Sequence, residues 1–421
     1  MGRVGSFVKE DPDARKRTLR TASWPFGAWF VADVKLNTVA QQVDVFVEHS
    51  RGTSFSCPEC GKACPVYDHT AERQWRHLDT MQFKTMLHAR PPRVRCQEHG
   101  IKQASLPWAE KNSRFTLLFE RFAIDVLQAT QTVKGAQGIL GTTWDETWHI
   151  LRRAVARGQA RKAAKPMPRI GIDEKAFRKG QNYVTLLYDL DRSTVEAISD
   201  GNDTESGNAC FAQLSKHQID SVEAIAMDMS AAFVKSAKAN IPLAEMKIVH
   251  DRFHIMKLAS EAVDRVRRAE HKELKSIGDT SLTGTRFIWL TGFERLSENQ
   301  QERFDDLIDS SLETGKAWAY KEMLRGLWAC PDEATALGYF RNWYKRVIHT
   351  KLEPMKRVAR TIKERLANVV SYCTHGITNA VAEGINSKIM AIKRRVGGYR
   401  NRENFKTAIY FYCGGLERYP H

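Results

Sequence analysis

Asp173 and Asp228 lie within or at the end of short β-branched and apolar runs, RIGIDEKAF and EAIAMDMSAAF, that read as buried strands. A carboxylate is costly to desolvate unless it is paired or bound to a cation. Two of them on strands therefore require a fold that brings both to one sheet edge. Glu383, in TNAVAEGINSKI, falls in the first turns of an amphipathic helix whose buried stripe is Val381, Ile385, Ile389 and Ile392. If the two strands are neighbours and this helix packs across them, the three side chains converge within a few ångströms. Hard oxygen ligands of this kind suit magnesium or manganese. Each acid also has a plain structural reading: Asp173 pairing with Lys175, Asp228 capping the helix that follows it, and Glu383 in a helix-surface ion pair.

The chain of 421 residues carries a formal net charge of +16 with a 42% hydrophobic fraction. That is room for several cored domains, and the basic excess predicts a polyanionic partner, double-stranded DNA foremost. No run of about 18 apolar residues occurs, and the N-terminal region lacks the apolar core of a signal peptide. The expectation is a cytoplasmic protein with no membrane contact and with its eight cysteines reduced.

Two knuckles of equal length lie near the N-terminus. Cys57-Pro-Glu-Cys60-Gly61 and Cys96-Gln-Glu-His99-Gly100 offer four soft ligands for a structural zinc ion, and each ends in a glycine able to take the positive φ of such turns. Cys64 is an alternative ligand, and ordinary buried thiols are the other reading. Around them, QQVDVFVE, with Val43, Val45 and Val47 on one face, and HARPPRVRC read as strands.

From about Arg114 the period becomes helical. Leu118, Phe122 and Val126 form one stripe, with Phe119, Ala123 and Leu127 beside it. A short helix over about Thr132 to Leu140 stops at Gly141, and Thr143 with Glu146 forms a capping box opening a third helix on which Trp144, Trp148, Leu151 and Val155 recur. This is the helix-turn-helix outline. His149, Arg152, Arg153, Arg157, Arg161 and Lys162 on the third helix are the candidate DNA contacts.

Beyond a Lys165-Pro166-Met167-Pro168 linker, three strands and then alternating helices and strands predict a mixed sheet with helices on its faces. Residues 253–372 read as almost wholly helical, so Glu383 is separated from Asp228 by an inserted helical subdomain. Trp289, Trp318 and Trp328 there are either core residues or platforms for a displaced base. The expected domains are a strand-rich zinc module (1–108), a helix-turn-helix domain (109–164), a catalytic α/β (mixed α+β) domain in two parts (165–252 and 373–421) and the α-helical insertion (253–372). Two divalent ions held by such carboxylates can activate a water or 3' hydroxyl and stabilise the leaving oxygen of a phosphodiester.

The ordered set of knuckles, helix-turn-helix, GIDEKAFRKGQNYVTLLYDLD, AMDMSAAF, VHDRFHIMKLA and NAVAEGINSKIMAIKRRVGGYRNRENFK resembles the DDE transposases of bacterial insertion sequences, and among them the IS-L-three family. The resemblance runs over nearly the whole chain. It implies a ribonuclease H-like catalytic fold, binding of terminal inverted repeats and target DNA, metal-dependent strand cleavage and 3'-hydroxyl strand transfer. It also implies a homodimer on DNA and a bacterial, nucleoid-associated location. The triad falls on Asp173, Asp228 and Glu383, with magnesium or manganese as cofactor, and an Asp-x-Phe-His signature falls on Asp251 and His254. Where many such enzymes have a cation seven residues after the glutamate, this chain has Met390; Lys393 and Arg394 are the nearby candidates for DNA contact. Two other functions fit the same residues: a catalytically silent DNA-binding regulator, or a metal nuclease that does not join strands.

Overall fold

The computed structural model describes residues 27–178, 180, 182–308 and 312–421. It divides into two units. One runs through Lys162 and also takes Leu416–His421; the other spans Ala163–Gly415.

The first unit opens with strands β1 (Trp29–Asn37), β2 (Gln42–His49), β3 (Ser54–Ser56), β4 (Ala63–His69), β5 (Arg73–Thr80), β6 (Phe83–Ala89), β7 (Pro92–Cys96) and β8 (Gly100–Gln103). They form two four-stranded sheets, ordered β1-β2-β6-β5 and β3-β4-β7-β8. Val43 and Val47 are buried as the alternation of QQVDVFVE predicts. Trp108 stands edge-on to both Trp29 and Trp75 at ring distances of 4.7 and 5.7 Å, tying the first sheet to the segment that leads into the helices. The strands β3 to β5 escaped sequence analysis because they are short or mostly polar, RQWRHLDT being typical.

Helices α1 (Leu117–Thr130), α2 (Val133–Leu140) and α3 (Trp144–Arg161) follow. Thr116 and Thr132 cap the first two, and the reciprocal Thr143–Glu146 capping box opens α3. Of the two stripes on α1, the one carrying Phe119, Ala123 and Leu127 enters the core, while Leu118 and Phe122 are exposed, a one-residue rotation of the expected face. Leu416–His421 packs on these helices. Arg157 and Arg161 of α3 donate to the carbonyls of Arg418 and Tyr419, and the Tyr419 hydroxyl donates to Asp125 at 2.5 Å. The expected catalytic segment 373–421 therefore ends sooner, its last six residues belonging to the first unit.

The second unit is built on β9 (Arg169–Arg178), β10 (Asn182–Asp189), β11 (Thr194–Asp200), β12 (Ala224–Met227) and β13 (Ile248–His250), in the order β11-β10-β9-β12-β13. The first three form an antiparallel meander, and β12 lies parallel between β9 and β13. Helices α4 (Thr204–Phe211), α5 (Lys216–Asp220), α6 (Ala231–Asn240) and α7 (Ala244–Lys247) make the connections. Ile170, Ile172, Ile225 and Met227 face α4 and α6, and the opposite face, with Leu186, Tyr188, Ala226 and Val249, is covered by the helices that end the unit. This is the expected ribonuclease H-like sheet.

The insertion begins with α8 (Arg252–Ser276) and continues through α9 (Arg286–Leu290), α10 (Glu298–Ile308), α11 (Glu313–Arg325), α12 (Glu333–Ile348), α13 (Glu353–Glu364), α14 (Leu366–Val370) and α15 (Tyr372–His375). It has its own core, in which Trp289 is fully buried and Trp318 and Trp328 pack partly buried. Trp289 is therefore a core residue, and Trp318 and Trp328 lie against that core. The chain returns to the sheet as α16 (Ala380–Arg395) and α17 (Arg402–Cys413). Ile385, Ile389 and Ile392 of α16 are buried, a stripe worth about 1.5–3 kcal/mol per side chain.

Candidate active site, zinc knuckles and DNA-reading helix

Strand register sets the geometry of the acidic site. β12 pairs with β9 at Ala226 and Gly171, and with β13 at Met227 and His250. Counting on from those pairs, Asp173, Asp228 and Asp251 fall on one row across three neighbouring strands, at or just past the C-terminal ends of β12 and β13. Side chains alternate along a strand, so Asp173 shares the face of Gly171, Asp228 that of Ala226 and Asp251 that of Val249. All three stand on the side covered by α16.

Glu383 rides on the first turn of α16, whose start approaches β9 closely. An added Cβ at Gly171 would lie 3.1 Å from the Asn379 side-chain oxygen and 3.0 Å from Leu190, so glycine two residues before Asp173 makes room for the helix that brings the glutamate. Glu383 has no side-chain hydrogen bond or ion pair among the described residues, and Asp173 has no ion pair with Lys175. The Asp228 carboxylate accepts only from the Ser230 backbone at 2.9 Å.

The groups feel one another. Burial raises Asp173 above the ordinary carboxylate range, and the negative charge of Asp228 adds to that shift. Glu383 is raised by burial first, then by Asp251 and Asp173. Glu174 rises by burial too, but its side chain lies on the opposite face from Asp173 by strand alternation. His254 is raised by its contact with Asp251, at 3.3 Å from Nδ1 to the carboxylate. Asp251, buried, also caps α8 through the Phe253 N–H. The carboxylates do not form as tight a ligand set as the knuckles described below, so the row is electrostatically coupled yet open.

One participant escaped sequence analysis. Asn386, three residues past Glu383 and buried, donates from Nδ2 to Asp173 Oδ2 at 2.6 Å and accepts the Tyr188 hydroxyl at 2.7 Å. The available signal was its spacing: a polar residue one turn from the glutamate, on the stripe otherwise filled by isoleucines.

The knuckles close as expected. Ligand atoms of Cys57, Cys60, Cys96 and His99 all lie within 4.8 Å of one another, the tightest such set among the described residues. Cys60–Cys96 sulfurs are 3.7 Å apart and Cys96–His99 Nδ1 3.6 Å. Tetrahedral zinc with Zn–S of about 2.3 Å and Zn–N of about 2.0 Å places such ligands roughly 3.5–3.8 Å apart. Gly61 and Gly100 adopt φ of 73° and 67°. The hydrogen bond from His99 brings the Cys96 thiol down to about 6. Cys64 stays outside the set and donates to the Lys62 carbonyl at 3.3 Å.

On α3, Asp145, His149, Arg152, Ala156 and Gln159 form one exposed stripe. Arg153 and Arg157 do not belong to it. Arg157 reaches both Glu110 and Glu120, at 2.7 and 2.8 Å, and Arg153 pairs with Glu110 at 2.6 Å. With Arg161 held by the Tyr419 carbonyl, half of the predicted α3 cations serve internal structure, because Glu110 and the buried Glu120 need neutralising. Lys162 lies just past the end of α3. Lys393 is likewise spent, donating to the Ala176 carbonyl at 2.8 Å, whereas Arg394 is exposed.

DNA-gripping modules joined to an acidic sheet edge define the class: a DNA transposase. Comparison with known families supports each part. A profile described as "Transposase" matches residues 170–409, one for the "zinc-finger of transposase IS204/IS1001/IS1096/IS1165" matches 53–99, and one for the "Helix-turn-helix domain of transposase family ISL3" matches 104–155. The chain belongs to the ISL3 family of transposases. It is similar to the transposase for insertion sequence element IS1001 of Bordetella parapertussis, 27% identical over 361 residues covering 84% of this chain and 87% of the relative. The transposase for insertion sequence element IS1557 of Mycobacterium tuberculosis (strain CDC 1551 / Oshkosh) is 24% identical over 372 residues, 82% of each chain. Among the described residues no helix is long and apolar enough to cross a membrane.

Proposed function

We propose that Asp173, Asp228 and Glu383 hold magnesium, or manganese, and that the chain uses it to cut the ends of its element and join the 3' hydroxyls to target DNA. The observation that carries this reading is the shared row of strand carboxylates on the face covered by the helix of Glu383. Asp173 and Glu383, both raised by burial and by neighbouring negative charge and left with few partners, call for a cation. Asp173 feels the charge of Asp228, and Glu383 feels that of Asp173, so the three would hold the metal together, and it would supply activation of the attacking water or 3' hydroxyl. Asn386 is a positioning residue: it fixes one Asp173 oxygen and leaves the carboxylate a single orientation.

His254, held by Asp251 at the end of the row, is suited to contact the phosphate. His149 and Arg152 would read bases, Lys162 and Arg394 would meet phosphates, and structural zinc would hold the knuckles. Two protomers would bring two ends together in the bacterial cytoplasm, at the nucleoid.

The test is incubation of the full chain with the DNA flanking its own coding sequence, with magnesium, and mapping of cut and joined products. Cutting with joining is expected, and Asp173→Asn or Glu383→Gln should abolish both while leaving end binding within a few-fold. Binding with no cutting would identify a silent regulator, and cutting without joining a nuclease.

A further inference from the structure

The sheet β1-β2-β6-β5 has a polar face that the core does not use. Across β5 and β6, Arg76 is paired with Met86 and Gln74 with His88. By alternation Gln74, Arg76, Lys84, Met86 and His88 share that face, opposite Trp75 and Leu87. Arg114 and Phe115 run beside β5, the Arg76 N–H donating to the Arg114 carbonyl at 2.9 Å. Against this floor stand Gly141 and Thr142, the turn leading into α3, and Glu146 of its first turn. The space between is a cleft of about 610 Å³.

Its lining is cationic. Arg73, Arg76, Lys84 and Arg114 face only Glu72 and Glu146, and both acids are engaged: Glu72 with His88 at 3.2 Å, Glu146 in the capping box. Arg76 is 6% exposed and held by Asp79 and the His77 carbonyl, yet its Nε finds no partner. Lys84 and Arg114 are exposed and have no side-chain hydrogen bond or ion pair among the described residues. Lys84 and Arg114, two exposed cations without partners that line one cleft, suit an anion laid across it.

We propose that this cleft takes the sugar-phosphate backbone of duplex DNA, flanking the bases presented to α3, with Lys84 and Arg114 contacting phosphates. The position argues for backbone and not for a free anion, since the entry to a recognition helix is where the DNA backbone passes. The cleft thus makes the first sheet a second, sequence-blind grip beside the base-reading helix.

The experiment measures binding of the full chain to two duplexes of equal length, one from the DNA flanking its coding sequence and one unrelated, over about 50–200 mM salt. The slope of log K against log salt should flatten by about 0.9 for Lys84→Ala, by the same for Arg114→Ala and by about 1.8 for the double variant. The effect should be equal on both duplexes, so their affinity ratio is unchanged. Zinc content and melting temperature identify any variant that misfolds, and Lys84→Gln and Arg114→Gln then replace it. Unaltered slopes in correctly folded variants would overturn the proposal. So would a loss confined to the flanking duplex, which would make these residues base readers.

Discussion

Asn386 Nδ2 lies 2.6 Å from Asp173 Oδ2 although the two residues are 213 positions apart in the chain. The bond joins the helix of Glu383 to the central strand of the sheet, so the orientation of one carboxylate depends on the seating of the helix that carries another. Asn386→Leu should lower strand-cutting activity and manganese affinity by about 10–100-fold, the range seen when a partner of a metal ligand is lost. Tyr188→Phe, one bond further out, should do less. Manganese binding followed by paramagnetic resonance separates this from simple unfolding, and unchanged affinity in folded Asn386→Leu would remove the positioning role.

The cations of α3 should behave as two groups. Arg152→Ala is expected to cost about 1–3 kcal/mol of binding and to relax sequence preference without lowering stability. Arg157→Ala leaves Glu110 and Glu120 short of a partner and should destabilise the first unit by about 3–5 kcal/mol. Thermal melts beside binding curves decide this, and the reverse pattern would put Arg157 on DNA.

Zinc should be retained by Cys64→Ser and lost by Cys60→Ser. The first replaces a thiol that bonds to a carbonyl, the second a member of the converging set. Metal analysis at about one zinc per chain for the parent reads this directly, and since such metal supplies folding energy, Cys60→Ser should also weaken DNA binding. Zinc loss from Cys64→Ser would redraw the ligand set.

The acidic row predicts a pH signature. Asp173 titrates above its ordinary range, so the folded state holds that proton more tightly than the unfolded chain does. Its ionised form therefore costs stability, a cost present above the raised value and removed as pH falls through it. In magnesium-free buffer Asp173→Asn should melt higher than the parent at neutral pH, and the difference should close in acid. His254 is the converse: raised by Asp251, it adds stability below the ordinary imidazole value that is lost as pH rises through the raised one. His254→Gln should accordingly lower the melting temperature in mild acid and converge with the parent in alkali. Calorimetry across pH 5–9 tests both signs.

Gly158 is met at 2.6 Å from an added Cβ by Leu416 and at 3.2 Å by the Glu417 carbonyl. Alanine normally favours a helix interior by about 1 kcal/mol over glycine, but here Gly158→Ala should destabilise the first unit by about 1–3 kcal/mol through overpacking. Removal of residues 416–421 should restore the ordinary preference for alanine when the two are compared in that background.

Local rules were readable in the chain; long-range pairings were not. The Thr143–Glu146 capping box, the knuckle glycines and the strand aspartates each depend on neighbours within a few positions, and each was found where its spacing put it. Asn386 was missed because its partners lie on strands about two hundred residues away. The internal partners of Arg153, Arg157, Arg161 and Lys393 were hidden for a related reason: a periodic cationic face looks the same whether its charges meet phosphate or a distant glutamate or carbonyl. The short polar strands of the first unit lacked the alternation that marks a half-buried strand, because contacts such as those among Trp29, Trp75 and Trp108 take over part of the work that an apolar face does elsewhere.

The segment Leu416–His421 has a bearing on how the protein is made. A ribosome translates the knuckles, both short helices and α3 early, yet the carbonyls that receive Arg157 and Arg161 are added only after the whole catalytic sheet and Glu383 have emerged. The packing of α3 thus waits on residues translated after the second unit, so a nascent chain interrupted anywhere before Arg418 carries a first unit that is incompletely packed.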